Sequence, residues 1–163
     1  METVTYTDTH VTVPSNKTFE QVIQAVESVL GEGDIQSFAR MVELVSSWEE
    51  LEKRVEQAVD SSGFMVFAKV DHGAWMSLIP HDMKGKLYMI GNPLIARRML
   101  EHVPEIGLYV PVRIYVYEDG QGTTRVDYDR VSSIFERFDN EQVNEVARML
   151  DRKLEELATT AAR

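Results

Sequence analysis

Ten residues near the middle of the chain constrain its fold most. From Leu108 to Tyr117, Leu108, Val110, Val112, Ile114 and Val116 alternate with Tyr109, Pro111, Arg113, Tyr115 and Tyr117. Successive side chains of an extended backbone point to opposite faces, so this period of two predicts a strand with one aliphatic face turned to a core. Asp119-Gly120-Gln121-Gly122 supplies turn residues, and Thr123 to Tyr128 returns as the hairpin partner. A sheet with one aliphatic face needs helices to cover that face.

The flanking segments provide them. Thr18 and Gln21 have the spacing of a capping box at the start of a helix whose apolar positions are Phe19, Val22, Ile23, Val26, Val29 and Leu30. Asp34 caps a second helix with Phe38, Met41, Val42 and Val45 on one face. Ser47 and Glu50 open a third that buries Trp48, Leu51, Val55 and Ala58. Asn92-Pro93 starts a fourth, with proline where a missing N–H costs nothing, and Pro104 ends it. A short helix is expected over Val131 to Phe138. Asp139 and Gln142 then cap a long terminal helix with Val143, Val146, Ala147, Leu150, Leu154 and Leu157 inward and a frayed end. Further strands are expected at Tyr6 to Val13, ending at Pro14 near a sheet edge, at residues 64 to 70, and at Leu87 to Gly91. A polar turn falls from Pro80 to Gly85. Hairpin-linked strands flanked by helices give an α+β layer architecture. With no repeat and no long linker, residues 1–163 read as one domain, in which the helical stretch 34–60 resembles an insertion.

Composition narrows the function classes. The absence of cysteine excludes disulfides, thiolate metal ligands and a cysteine nucleophile, and suits a reducing compartment. With no basic patch and apolar run after Met1, a cytoplasmic location is expected. A formal charge of −10 disfavours nucleic acid and anionic lipid, and no apolar run approaches the length of a spanning helix, so neither nucleic acid nor membrane is an expected partner.

The segment 63–128 also carries a likeness. Ser62-Gly63-Phe64, Val70-Asp71-His72, Gly91-Asn92-Pro93, Gly107-Leu108-Tyr109-Val110-Pro111-Val112 and Val116-Tyr117-Glu118-Asp119 follow one another in an order and spacing that resembles the domain of unknown function 302 family. The resemblance implies a compact α+β fold with a mainly antiparallel sheet, assembly as a homodimer and no established activity. Many members carry cysteine where this chain has Gly91 and Val112, so thiol or soft-metal chemistry does not transfer.

Candidate chemistry is sparse. Asp71 beside His72 is the best catalytic pair, because a carboxylate can fix the tautomer of an imidazole and tune a general base, although neighbours on a strand point apart. A turn-capping Asp71 and a structural His72 are the ordinary alternative. Trp75 walls the same strand end, and Asn92 approaches it if the strand at Leu87 to Gly91 runs alongside. Asn92 with Arg97 and Arg98 can receive an anion at a helix start, or simply cap, with Arg97 paired to Glu101. Arg113, Tyr115 and Tyr117 share a strand face that suits a ligand cleft, a partner interface or solvent. His72, His81 and His102 lack metal-ligand spacing, Gly120 and Gly122 belong to a turn, and no residue pattern names a cofactor. The expectation is a homodimer binding a small ligand or protein partner in a cleft near a strand end. Its rival is an enzyme using His72 as general base or cofactor ligand, with Arg98 or Arg113 holding an anionic substrate.

Overall fold

A computed structural model describes residues 1, 3–79 and 83–163; the expected turn at Pro80 to Gly85 and His81 fall partly or wholly outside them. Five strands form one sheet: β1 (His10–Ser15), β2 (Met65–Asp71), β3 (Gly85–Gly91), β4 (Val112–Glu118) and β5 (Thr124–Asp129). Their order is β1-β5-β4-β3-β2, and every neighbouring pair is antiparallel. The helices are α1 (Phe19–Glu27), α2 (Ile35–Glu43), α3 (Trp48–Ala58), α4 (His72–Met76), α5 (Pro93–Leu100), α6 (Val131–Phe135) and α7 (Glu141–Ala162). The fold is therefore α+β, as the alternating segment and its flanking helices require.

The core lies on one face of the sheet. Tyr88, Ile90, Ile114, Val116, Val126 and Tyr128 are buried there against Val22 and Val26 of α1, Met99 of α5, and Val143, Leu150 and Leu154 of α7. Each large aliphatic side chain fully withdrawn from water contributes roughly 1.5–3 kcal/mol. On the opposite face Leu87, Met89, Tyr115 and Tyr117 are only half-buried, and Arg113 is exposed.

The central strand starts later than its alternation suggests. Pro104–Leu108 forms a 3-10 turn, Tyr109 N–H donates to the Ile106 carbonyl at 2.8 Å, and Leu108 is 81% exposed. Pro111 has no N–H to give a ladder, so regular pairing begins at Val112. Pro14 does not end β1 but lies within it, tolerated because β1 is an edge strand. Asn140, not Asp139, caps α7, accepting from Val143 N–H at 3.1 Å, while Asp139 turns the chain at φ 48°. The far end of α7 is held, not frayed: Ser15 Oγ donates to the Ala162 carbonyl at 2.6 Å and Lys17 Nζ to the Ala161 carbonyl at 3.1 Å. Those side chains satisfy carbonyls that a helix end leaves without partners.

The helical stretch 34–60 is closed at its base. Gly31 N–H donates to the Phe64 carbonyl and Val66 N–H to the Gly31 carbonyl, both at 2.9 Å. The Ala58 carbonyl packs so closely on Gly31 that no side chain fits there. Asp34 and Ser37 form the cap of α2, each side chain accepting from the other's N–H. Yet α2 contains no fully buried residue, and of the expected buried row on α3 only Val55 is buried. Phe38, Trp48 and Leu51 face a cavity instead of a packed core, while Ile35 and Val42 are exposed.

Candidate functional site

That cavity, of about 520 Å³, lies where β2 begins, β3 ends and β4 begins, roofed by α2, α3 and α5. Phe38 of α2, Trp48 and Leu51 of α3, and Phe67, Ile90 and Pro111 from the sheet end supply its apolar walls. Phe38 and Phe67 meet edge to face at 5.3 Å. Asn92 sits at the base, its Oδ1 accepting from Leu94 N–H at 2.9 Å and its Nδ2 donating to the Gly63 carbonyl at 3.0 Å. It caps α5 and ties that helix to the chain entering β2. At the rim the Arg97 guanidinium stacks 4.3 Å from the Trp48 ring centroid, and its Nε lies 3.4 Å from Glu101 Oε2. An aromatic face attracts a guanidinium and holds it in place.

The antiparallel register decides where the other candidates go. Met65 pairs with Gly91 and Asp71 with Lys86, so Asn92 and His72 stand at opposite ends of the β2–β3 ladder. Seven-residue strands put those ends about 20 Å apart. Asn92 therefore does not approach His72, because its strand runs alongside in the opposite direction. Asp71 Oδ1 accepts from Ala74 N–H at 2.9 Å and caps α4. Among the described residues it makes no hydrogen bond to His72. The His72 Nδ1 instead accepts from Trp75 Nε1–H at 3.3 Å, and the ring stands edge-on to Tyr115 at 5.7 Å. Tyr115 stacks on Tyr117 at 5.2 Å, and its hydroxyl lies over Gly85, leaving no space for a side chain there. His72, Trp75 and Tyr115 thus form one aromatic group on the open sheet face, with Trp75 55% exposed.

Arg98 and Arg113 belong to neither place. One residue on from Arg97, Arg98 turns away around α5, with Nη1 3.9 Å from Met149 Sδ of α7. Arg113 lies 3.6 Å from Asp129, whose other oxygen bonds His10 at 2.8 Å. His10 also reaches Asp127 at 3.0 Å, and hydrogen bonding to Asp129 and then Asp127 raises its pKa. Beside the His72 end, Glu27 of α1 accepts from Lys86 at 2.9 Å, Lys69 at 3.1 Å and the Tyr88 hydroxyl at 2.9 Å. Burial works against its carboxylate, but those three bonds outweigh burial and lower the pKa to about 2. Among the described residues no group of three or more side chains is arranged to hold a metal, and no helix is long and apolar enough to cross a membrane.

The family described as domain of unknown function DUF302 matches residues 40–160. The chain belongs to the DUF302 family. The crystal structure of an uncharacterized conserved DUF302 protein from Bacillus stearothermophilus has a TM-score of 0.66 to this DUF302 chain at 16% identity, covering 94% of this chain and 98% of that one. At that identity the likeness is one of fold. Two curated proteins, the fluoride-specific ion channels FluC 1 of Brucella suis and FluC 2 of Brucella melitensis, are each 35% identical to it over 86 residues. The match takes in 50% of this chain but 32% and 30% of those channels, so the DUF302 chain spans about a third of their length.

Phe38, Trp48, Leu51 and Phe67 are absent from any catalytic reading of the sequence because helical and strand spacing assigns them simply to a core. The available signal is that Phe38, Trp48 and Leu51 stand on two short helices, one of them with six charged residues in eleven, so their apolar rows are narrow for a core.

Proposed function

We propose that this DUF302 protein is a non-catalytic binding protein that takes one small, mainly apolar molecule in the cavity beneath α2, α3 and α5. The observation that carries this reading is the cavity itself: at about 520 Å³ it lies within the range of small-molecule sites, and its walls are almost wholly apolar with few polar groups at the edge. Titration with the neutral fluorescent probe N-phenyl-1-naphthylamine tests it. One equivalent should bind per chain, and Ala96→Phe, which fills the cavity from α5, should abolish binding while keeping the fold. Undiminished binding to Ala96→Phe would contradict the reading.

The same proposal includes a cytoplasmic homodimer. Its support is the half-exposed aromatic and aliphatic surface of Leu87, Met89, Tyr115, Tyr117 and Trp75, more than one sheet face ordinarily leaves wet. A monomer mass by light scattering at roughly 20–50 µM protein would argue against it, since dimers of standard interface size persist at such concentrations. An enzyme built on His72 has less support, because Asp71 spends its carboxylate on the cap of α4.

A second reading rests on the Brucella channels: the domain serves as a docking or control module for a membrane transport protein. Leu78 and Ile79, exposed beside Trp75, offer the apolar contact surface. Co-sedimentation with membranes containing such a channel, lost in Leu78→Glu, would support it; no co-sedimentation would remove it.

A further inference from the structure

We propose that the molecule bound in the cavity is an amphiphile with a single carboxylate, its chain lying between Phe38, Leu51 and Phe67 and its head on Arg97; this rests on the binding function proposed above. Arg97 is the one cation among the residues lining the cavity. Its Nε lies 3.4 Å from Glu101 Oε2 as an ion pair, and among the described residues the Arg97 side chain is held by that charge and by the Trp48 face alone. The Trp48 ring beneath the guanidinium holds it at the rim, so the group is already positioned before a ligand arrives. Two parallel N–H groups on a fixed plane match the two oxygens of a carboxylate.

Glu101 sets the charge the site accepts. Glu101 neighbours Arg97 and Glu49 also feels its charge, so the rim tolerates one further single negative charge and disfavours a doubly charged phosphate monoester. A cationic head would meet the Arg97 guanidinium as a like charge. The opposite wall, formed by Phe38, Leu51, Phe67 and Ile90, offers no charged partner, which fixes the head at the Arg97 end.

The chain contains two tryptophans, and only Trp48 lines the cavity. In a Trp75→Phe background its fluorescence reports binding of decanoate, decanol and decyltrimethylammonium. Decanoate should bind about tenfold more tightly than decanol, as a charge-assisted hydrogen bond implies. Arg97→Gln should bring decanoate to the level of decanol, Arg97→Lys should keep part of the preference, and Glu101→Gln should strengthen decanoate alone. Equal binding of decanoate and decanol, or tighter binding of decyltrimethylammonium, would overturn the carboxylate assignment and leave the cavity a ligand site. Failure of all three to bind would overturn the binding function itself.

Discussion

The two ends of the β2–β3 ladder are built on opposite principles. At one end Phe67, Ile90 and Asn92 face a cavity walled by aromatic and aliphatic groups. At the other, Glu27 gathers Lys69, Lys86 and Tyr88, while Asp71 and His72 fold into the short turn of α4. The charged end has the residue types associated with chemistry, and there Asp71 caps α4, His72 accepts from Trp75 and Glu27 is paired. The apolar end looks like ordinary core in sequence, and it is the end that encloses space. A residue's chemistry proposes a role, but its partners decide whether that chemistry is available.

The largest expected effect sharpens this contrast. Ile90→Asp places a carboxylate in a fully buried position at the cavity end and should cost about 4 kcal/mol or more, a large part of the roughly 5–15 kcal/mol that holds a domain. Val70→Asp, at a position 38% exposed near the charged end, should stay within about 1 kcal/mol. Urea unfolding compares them, and similar losses would break the distinction. Next in size is Asn92→Ala, which removes both a cap and the tie to Gly63; it should cost about 2 kcal/mol, or roughly 4–8 °C in melting temperature. His72→Ala removes the exposed bond from Trp75 and the edge contacts with Trp75 and Tyr115, and should cost about 1 kcal/mol. If His72→Ala were the more damaging, the His72 end would be the structural anchor.

A pH-dependent effect belongs to the charged end alone. Because the folded pKa of Glu27 is depressed, its contribution is fully present above the ordinary value of 4.5 and is lost as pH falls towards about 2. Glu27→Gln should therefore be less stable than wild type at neutral pH, with the difference shrinking across that window. Chemical unfolding at several pH values checks it, and a difference that persists unchanged at pH 2 would mean the ionised cluster is not its source.

Much of this fold was legible because local signals and core pattern agree. The caps at Thr18, Asp34, Ser47 and Asn92, the turn at Asp119 to Gly122, and the aliphatic face from Val112 onward all form as their sequences imply. Leu108 misled because alternation continues through a 3-10 turn that only backbone hydrogen bonding reveals. The candidate site was less legible for a different reason. Strand direction, which local pattern leaves undetermined, separates Asn92 from His72, and one helical step separates Arg97 at the cavity from Arg98 against α7. Nor does spacing distinguish a residue packed in a core from one facing a cavity, as Trp48 and Leu51 illustrate.

Mapping N-phenyl-1-naphthylamine on methyl-labelled protein by NMR tests the central claim most directly, because isoleucine, leucine and valine methyls report from both ends of the ladder at once. Shifts are expected at Leu51, Ile90, Ile95 and Leu100, which line the cavity, with little change at Val70, Leu78 and Leu87. Shifts confined to Val70, Leu78 and Leu87 would contradict it and place binding on the open sheet face beside His72.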